Sequence, residues 1–307
     1  MDWLFFAFIA TFLMTLVNFG DKFVTRLLKD PAAVLILLGF VNFFVSLALF
    51  ILTGFELPAL SPTVALLISG TSVVWGNIFY FRAIAQEETS IIIVLLQMSP
   101  LFTLLFGMLF LQEYPNLLQL VGFALILISV VAVSSLKEGS VSLSTDLLKT
   151  PVLRLMVVAT FFWAIGNIST AAAIETYVID LKTLLTSIAV SSSGYFATTV
   201  LVYFLFPGFR QSFQQHFADQ RLKKLAAGFS IEFIFMWRQI FYYFAISLGS
   251  VAFGSILGST SVFLGIGLGI FLTLVLPAIY NEDLSLRTIF TKLLWAFVMF
   301  IGVLLIR

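Results

Sequence analysis

Trp75-Gly76-Asn77-Ile78-Phe79-Tyr80-Phe81-Arg82-Ala83-Ile84 returns in the second half of the chain as Trp237-Arg238-Gln239-Ile240-Phe241-Tyr242-Tyr243-Phe244-Ala245-Ile246, and each copy lies inside a long apolar run. A weaker echo joins Ala10-Thr11-Phe12 and Asn18 to Ala159-Thr160-Phe161 and Asn167. The chain reads as an internal duplication. Its copies differ chiefly at Gly76 against Arg238, where one copy has gained a charge in an apolar setting.

Composition sets the medium. With 61% hydrophobic and 10% charged residues and a mean hydropathy of +1.13, the chain lies outside the range of soluble domains and belongs in a bilayer. It has no cysteine and one histidine, His216, in a polar stretch, so thiolate chemistry and His-based metal or triad sites are closed. No Walker-type loop occurs, and no cofactor is expected. A net charge of +1 gives no argument for a nucleic-acid partner, and Met1-Asp2 lacks the basic start of a signal peptide, so the first apolar run is expected to be retained.

A spanning helix needs about 20 apolar residues. Ten runs meet that length: 3–20, 32–53, 63–84, 91–111, 116–135, 152–174, 183–206, 225–247, 251–277 and 288–306. Pro31, Pro58, Pro62, Pro115, Pro151 and Pro207 fall at run ends, where a missing N–H costs least. The expected fold is an all-α integral membrane protein of ten transmembrane helices. The expected domains are a first five-helix repeat, 1–136, a linker, 137–150, and a second five-helix repeat, 151–307. Five is odd, so the two repeats cross the membrane in opposite senses, an inverted-repeat plan with its site near midplane. Lys22, Arg26, Lys29, Arg82, Lys137, Lys149, Arg154, Arg210, Arg221, Lys223, Lys224, Arg287 and Lys292 lie near the odd-numbered connections, against only Lys182 and Arg307 near the even ones and the termini. The positive-inside rule then puts both termini outside. Phe209, Phe213 and Phe217 recur every four residues among basic side chains, which suits either an amphipathic helix on an anionic leaflet or a solvated loop.

Gln97-Met98-Ser99-Pro100, Leu111-Gln112-Glu113 and Gln119-Leu120-Val121-Gly122, with Tyr80, Ala83 and Ser90, resemble the EamA-type branch of the drug/metabolite transporter superfamily. The second half follows that pattern more loosely: Val262 stands where a proline is expected, Pro277 lies deeper, and Glu282 follows a longer ninth helix. The resemblance implies a ten-helix secondary transporter or exporter of small metabolites. It also implies cytoplasmic termini, the opposite sense to the charge bias; a pseudo-symmetric inverted repeat can insert either way.

The residues themselves nominate a site. An arginine at mid-membrane depth costs about 2.5 to 3.5 kcal/mol on insertion scales, so Arg238 must face a cavity or a partner. It binds an anionic substrate group, or it pairs with Glu232 or helix termini. Glu232 lies six residues earlier, about 120° round the helix, so a direct pair is strained. As an acid inside an apolar run Glu232 is the candidate for proton coupling, with snorkelling at the cytoplasmic end as its structural alternative. Trp75, Trp163, Trp237 and Trp295 fall inside their runs rather than at the interface. Trp75, Trp163 and Trp237 suit an aromatic wall with Tyr80 and Tyr242, while Trp295 suits core packing. Asn18, Asn77, Asn167, Gln239 and Gln97 either bind substrate or bond across helices. Gly254-x-x-x-Gly258 and Gly265-x-Gly267-x-Gly269 give the ninth helix a small-residue face.

The expectation is a secondary transporter, an exporter of amino acids or related carboxylate-bearing metabolites by alternating access. Its partners are a small-molecule substrate, the lipid bilayer and a proton as candidate coupling ion; monomer and homodimer both remain open. A nucleotide-sugar or drug carrier of the same fold is the alternative, followed by a non-transporting membrane protein. An embedded enzyme lacks paired catalytic carboxylates or His and Cys clusters, so no enzyme is expected. A bacterial or archaeal plasma membrane is the expected location.

Overall fold

A computed structural model of the chain describes residues 3–99, 101–102, 105–106, 116–134, 136–137, 140–141, 151–177, 180–248 and 260–306. Its helices are α1 (Trp3–Leu28), α2 (Pro31–Thr53), α3 (Leu60–Gln86), α4 (Thr89–Leu96), α5 (Leu117–Ser134), α6 (Pro151–Tyr177), α7 (Leu181–Leu205), α8 (Pro207–Phe217), α9 (Arg221–Leu248), α10 (Ser261–Val275) and α11 (Leu286–Ile306). Six of them, α1, α2, α3, α6, α7 and α11, are long and apolar enough to cross a bilayer, and α5 and α10 are shorter apolar helices. The chain is an integral membrane protein. Pro31, Pro151 and Pro207 each begin a helix, and Pro62 lies in the first turn of α3. Pro31 follows Asp30, whose carboxylate accepts from Ala32 N at 2.7 Å, and Asp180 closes a capping box with Thr183 before α7.

Packing is between halves rather than within them. α3 lies along α6 and α7, α1 along α9, α2 along α7, α5 along α11, and α4 against α10. At the α3–α7 crossing the backbones touch. A Cβ on Gly70 would sit 1.9 Å from Ser191 O, and one on Gly194 would sit 2.6 Å from Leu67 O. Small polar side chains tie this crossing and its neighbours: Thr198 to Thr71 at 2.9 Å between α7 and α3, Ser69 to Thr170 at 2.6 Å between α3 and α6, and Ser46 to Ala189 O at 2.9 Å between α2 and α7. The turns after α1, α3 and α10, three of the expected odd connections, meet at one end of the bundle. At the even-connection end Lys182 pairs with Glu56 at 2.7 Å.

Several sequence expectations are corrected. α1 does not stop at residue 20 but runs to Leu28, with Val24 and Leu28 fully buried. Asp21 and Lys22 do not end it because both are satisfied within the bundle, as described below. Of the ninth run, 251–277, the structure describes α10 over Ser261–Val275, and residues 251–259, with Gly254 and Gly258, lie outside the described residues, as do Pro100 and Gln112-Glu113. The linker opens with a hairpin, Leu136–Lys137 paired antiparallel with Ser140–Val141. The phenylalanine stripe 209/213/217 does form a helix, α8, but it packs on protein: Phe213 meets Phe40 at 5.8 Å and Tyr203 at 6.4 Å, and Lys224 Nζ donates to His216 O across the turn to α9.

Candidate functional site

The polar interior is built on α1, α3, α7 and α9. Tyr80, on α3, is 2% exposed, and its hydroxyl lies 3.2 Å from Asn18 Oδ1 and 3.0 Å from Asp21 Oδ2 of α1. One turn before Tyr80, Asn77 donates from Nδ2 to the Tyr195 hydroxyl of α7 at 2.9 Å. Glu232 enters from α9, where Ile231 packs over Gly20 of α1, so Glu232 stands level with Asp21. It is hydrogen-bonded by Asn42 of α2 and lies within electrostatic range of Asp21. Asp21 and Glu232 are 6% and 7% exposed, and among the described residues neither forms an ion pair. Two buried carboxylates without a counter-cation are costly unless something positive is supplied.

Arg238 lies six residues further along α9, about 9 Å by helical rise. Its guanidinium sits over the Tyr242 ring at 4.6 Å and near Phe235 at 5.9 Å, and its Nε is buried with no hydrogen-bond partner. The pairing with Glu232 weighed from the sequence is not formed. α9 thus carries an anionic level and a cationic level on its inward side, with Gln239 half-buried beside Arg238.

The tryptophans separate. The Trp163 ring lies 5.1 Å from Tyr80, and its buried Nε1 has no partner. It rests on Gly76, where a Cβ would come within 2.4 Å of that nitrogen, so the first copy could not carry the arginine of the second without displacing the indole. Trp75 faces Phe162 and Phe206. Trp237 does not join the site: it is 41% exposed on the outward face of α9, between Phe233 and Phe241. The repeat equates Trp237 with Trp75, but Trp75 has α6 packed beside it. Asn18 is buried while its repeat partner Asn167 is exposed, reaching Ser99 Oγ at 3.4 Å, and Gln97 donates to Ser261 Oγ at 3.3 Å between α4 and α10.

A second polar cluster closes the odd-connection end. Lys292 of α11 donates to Glu88, to Ser90 Oγ at 2.8 Å and to Glu282 Oε2 at 2.9 Å. Glu282 also accepts from Ser90 N at 3.1 Å and from the Ser90 hydroxyl. Lys22 Nζ donates to Ile84 O and, at 2.7 Å, to Glu87 O, and the Tyr280 hydroxyl donates to Phe19 O at 2.8 Å. Burial, partly offset by Lys292 and reinforced by neighbouring Glu282, pushes the Glu88 carboxyl up to about 7. Burial works to raise Glu282 too, but the Lys292 charge and hydrogen bonds from Glu88, Ser90 and Lys292 outweigh it and hold Glu282 below the ordinary glutamate range. A cavity of about 160 Å³ opens here, lined by Lys22, Arg26, Glu87, Glu88, Tyr280 and Glu282 among others.

Sequence reasoning missed Asp21, Tyr195 and the Lys292 network. The signal for Asp21 was present: Phe23, Val24, Leu27 and Leu28 continue the helical spacing beyond the charged pair.

Seventeen solved protein chains match this one. One of them, 14% identical, covers 95% of this chain and 95% of its own with a TM-score of 0.55, a likeness of fold alone. No curated protein matches the chain. Residues 1–135, which supply Asn18, Asp21, Asn77 and Tyr80, match the family model of the EamA-like transporters, a match consistent with the drug/metabolite transporter superfamily.

Proposed function

We propose that the chain is a secondary-active exporter of small carboxylate-bearing metabolites, amino acids or their relatives, working by alternating access between two inverted five-helix repeats. The family of residues 1–135 supports membrane transport of small molecules. Support for the inverted repeat comes from exchange in the packing. The first helix lies along the eighth membrane helix of the expected ten, α9, as the third lies along the sixth, α6; the second with the seventh and the fifth with the last are their own counterparts. The observation that carries the substrate class is Arg238: a half-buried side chain over Tyr242, its Nε buried and without a partner and no ion pair formed with a described acid, suits an anionic group. Gln239, Tyr242, Asn77, Trp163 and Tyr80 supply the polar and aromatic contacts between the two levels.

A second reading rests on a specific observation too. The buried Asp21 and Glu232 beside Tyr80 and Trp163 suit a cationic or aromatic compound, as a drug carrier would require. Counterflow uptake in proteoliposomes across amino acids, organic acids, nucleotide sugars and aromatic cations separates the readings. Transport of an anionic or zwitterionic compound that is lost in Arg238→Ala is expected. Transport of cations alone, or a silent Arg238→Ala, overturns the proposal in favour of the second reading.

A further inference from the structure

We infer that Asp21 is a proton-binding site, both of whose protonation states the Tyr80 hydroxyl and the Asn18 amide can satisfy. The inference comes from counting hydrogens. A phenol oxygen carries one proton to donate and can accept in return. Tyr80 Oη nevertheless lies within hydrogen-bonding distance of two acceptors, Asn18 Oδ1 at 3.2 Å and Asp21 Oδ2 at 3.0 Å, all three groups being buried. At the same time Asn18 Nδ2, a buried donor, has no partner.

Two arrangements satisfy the cluster. In one, Asp21 is a carboxylic acid that donates to Tyr80 Oη, and the Tyr80 hydroxyl donates in turn to Asn18 Oδ1. In the other, Asp21 is a carboxylate that accepts from Tyr80, and the Asn18 amide is turned over so that Nδ2 donates to Tyr80 Oη. The second gives the orphaned Nδ2 its partner. The two arrangements differ by one proton on Asp21 and a half-turn of one amide that exchanges its oxygen and nitrogen, with the backbone and the Tyr80 ring left in place. A residue that could hold either state while buried is what a proton carrier needs.

The surroundings leave this exchange uncompensated by a fixed cation. Tyr80 faces Asp21 from α3, Glu232 from α9, Tyr195 from α7 and Tyr280 from the turn after α10. Next to Asp21 on α1, Lys22 is committed to the carbonyls of Ile84 and Glu87. Among the described residues, none forms an ion pair with Asp21. The side chain set against Glu232 is the Asn42 amide.

The inference rests on the proposed function only in making the exchange a coupling step; the site itself can be tested without a substrate. Infrared difference spectra of the full chain in lipid, taken across a pH titration, read the carbonyl stretch of a protonated buried acid. We expect a reversible band in wild type that is absent in Asp21→Asn, retained in Glu232→Gln, and moved to higher frequency in Tyr80→Phe, where the acid proton loses its acceptor. Should Asp21→Asn fail to fold, the Tyr80→Phe displacement still assigns the band. A band that survives Asp21→Asn, vanishes in Glu232→Gln, or ignores Tyr80→Phe overturns the inference. None of these outcomes touches the counterflow result.

Discussion

Replacing Lys292 with methionine tests whether the odd-connection end is held by charge. The ammonium is 4% exposed and is shared by Glu282, 5% exposed, and Glu88, 19% exposed. Methionine fills much of the same space, so packing changes little and the loss is electrostatic. Removing one partner of a buried ion pair strands the others, a change worth about 3–5 kcal/mol. Thermal unfolding in detergent should show a drop on the order of 10 °C. Further substitution of Glu282→Gln and Glu88→Gln should recover most of it, because the stranded charges go with the cation. The pH dependence has a definite sign. Glu88 is raised, so its contribution is present at acid pH and lost as pH rises through about 7. Glu282 is lowered, so its contribution is present above the ordinary glutamate range and lost as pH falls through its folded value. Wild type should therefore lose stability on both sides, and the Lys292→Met deficit should shrink on acidification as protons replace the ammonium. A variant as stable as wild type at pH 8 would refute the reasoning, since it would mean that water already solvates both carboxylates.

Gly70→Ala should destabilise by about 1–3 kcal/mol or more, because its Cβ would meet the fixed backbone of Ser191, whereas Gly267→Ala, with open space around it, should be neutral or slightly stabilising by helix propensity; melting temperatures of the two compare them directly. The absence of cysteine makes topology simple to read. In intact cells an impermeant thiol reagent should label Glu56→Cys at the even-connection end and spare Gln215→Cys on α8; the reverse pattern would reject external termini.

Much of the helix layout was legible because apolar length and proline punctuation act locally. The end of α1 was not, since a charged pair inside an apolar run looks like a boundary until Tyr80 and the carbonyls of Ile84 and Glu87 are seen to satisfy it. The repeat predicted equal roles for Trp75 and Trp237, but burial depends on what packs alongside, which repeat register does not encode. Arg238 was legible because its cost in lipid depends on its own chemistry. Lys292 counts as one more basic residue near a loop until Glu88 and Glu282, distant in sequence, fold against it.

The pairing of α1 with α9 has a consequence for how the protein is made. About 200 residues separate the two helices, and at a synthesis rate of roughly 5–20 residues per second α1 waits some 10–40 s for the helix that covers it. Through that interval the Gly20 side of α1 stands in the membrane without Ile231 and the α9 face that later covers it. The nascent first half must be sheltered, by lipid headgroups, the insertion machinery or transient contact with α2 and α3, until the second half arrives.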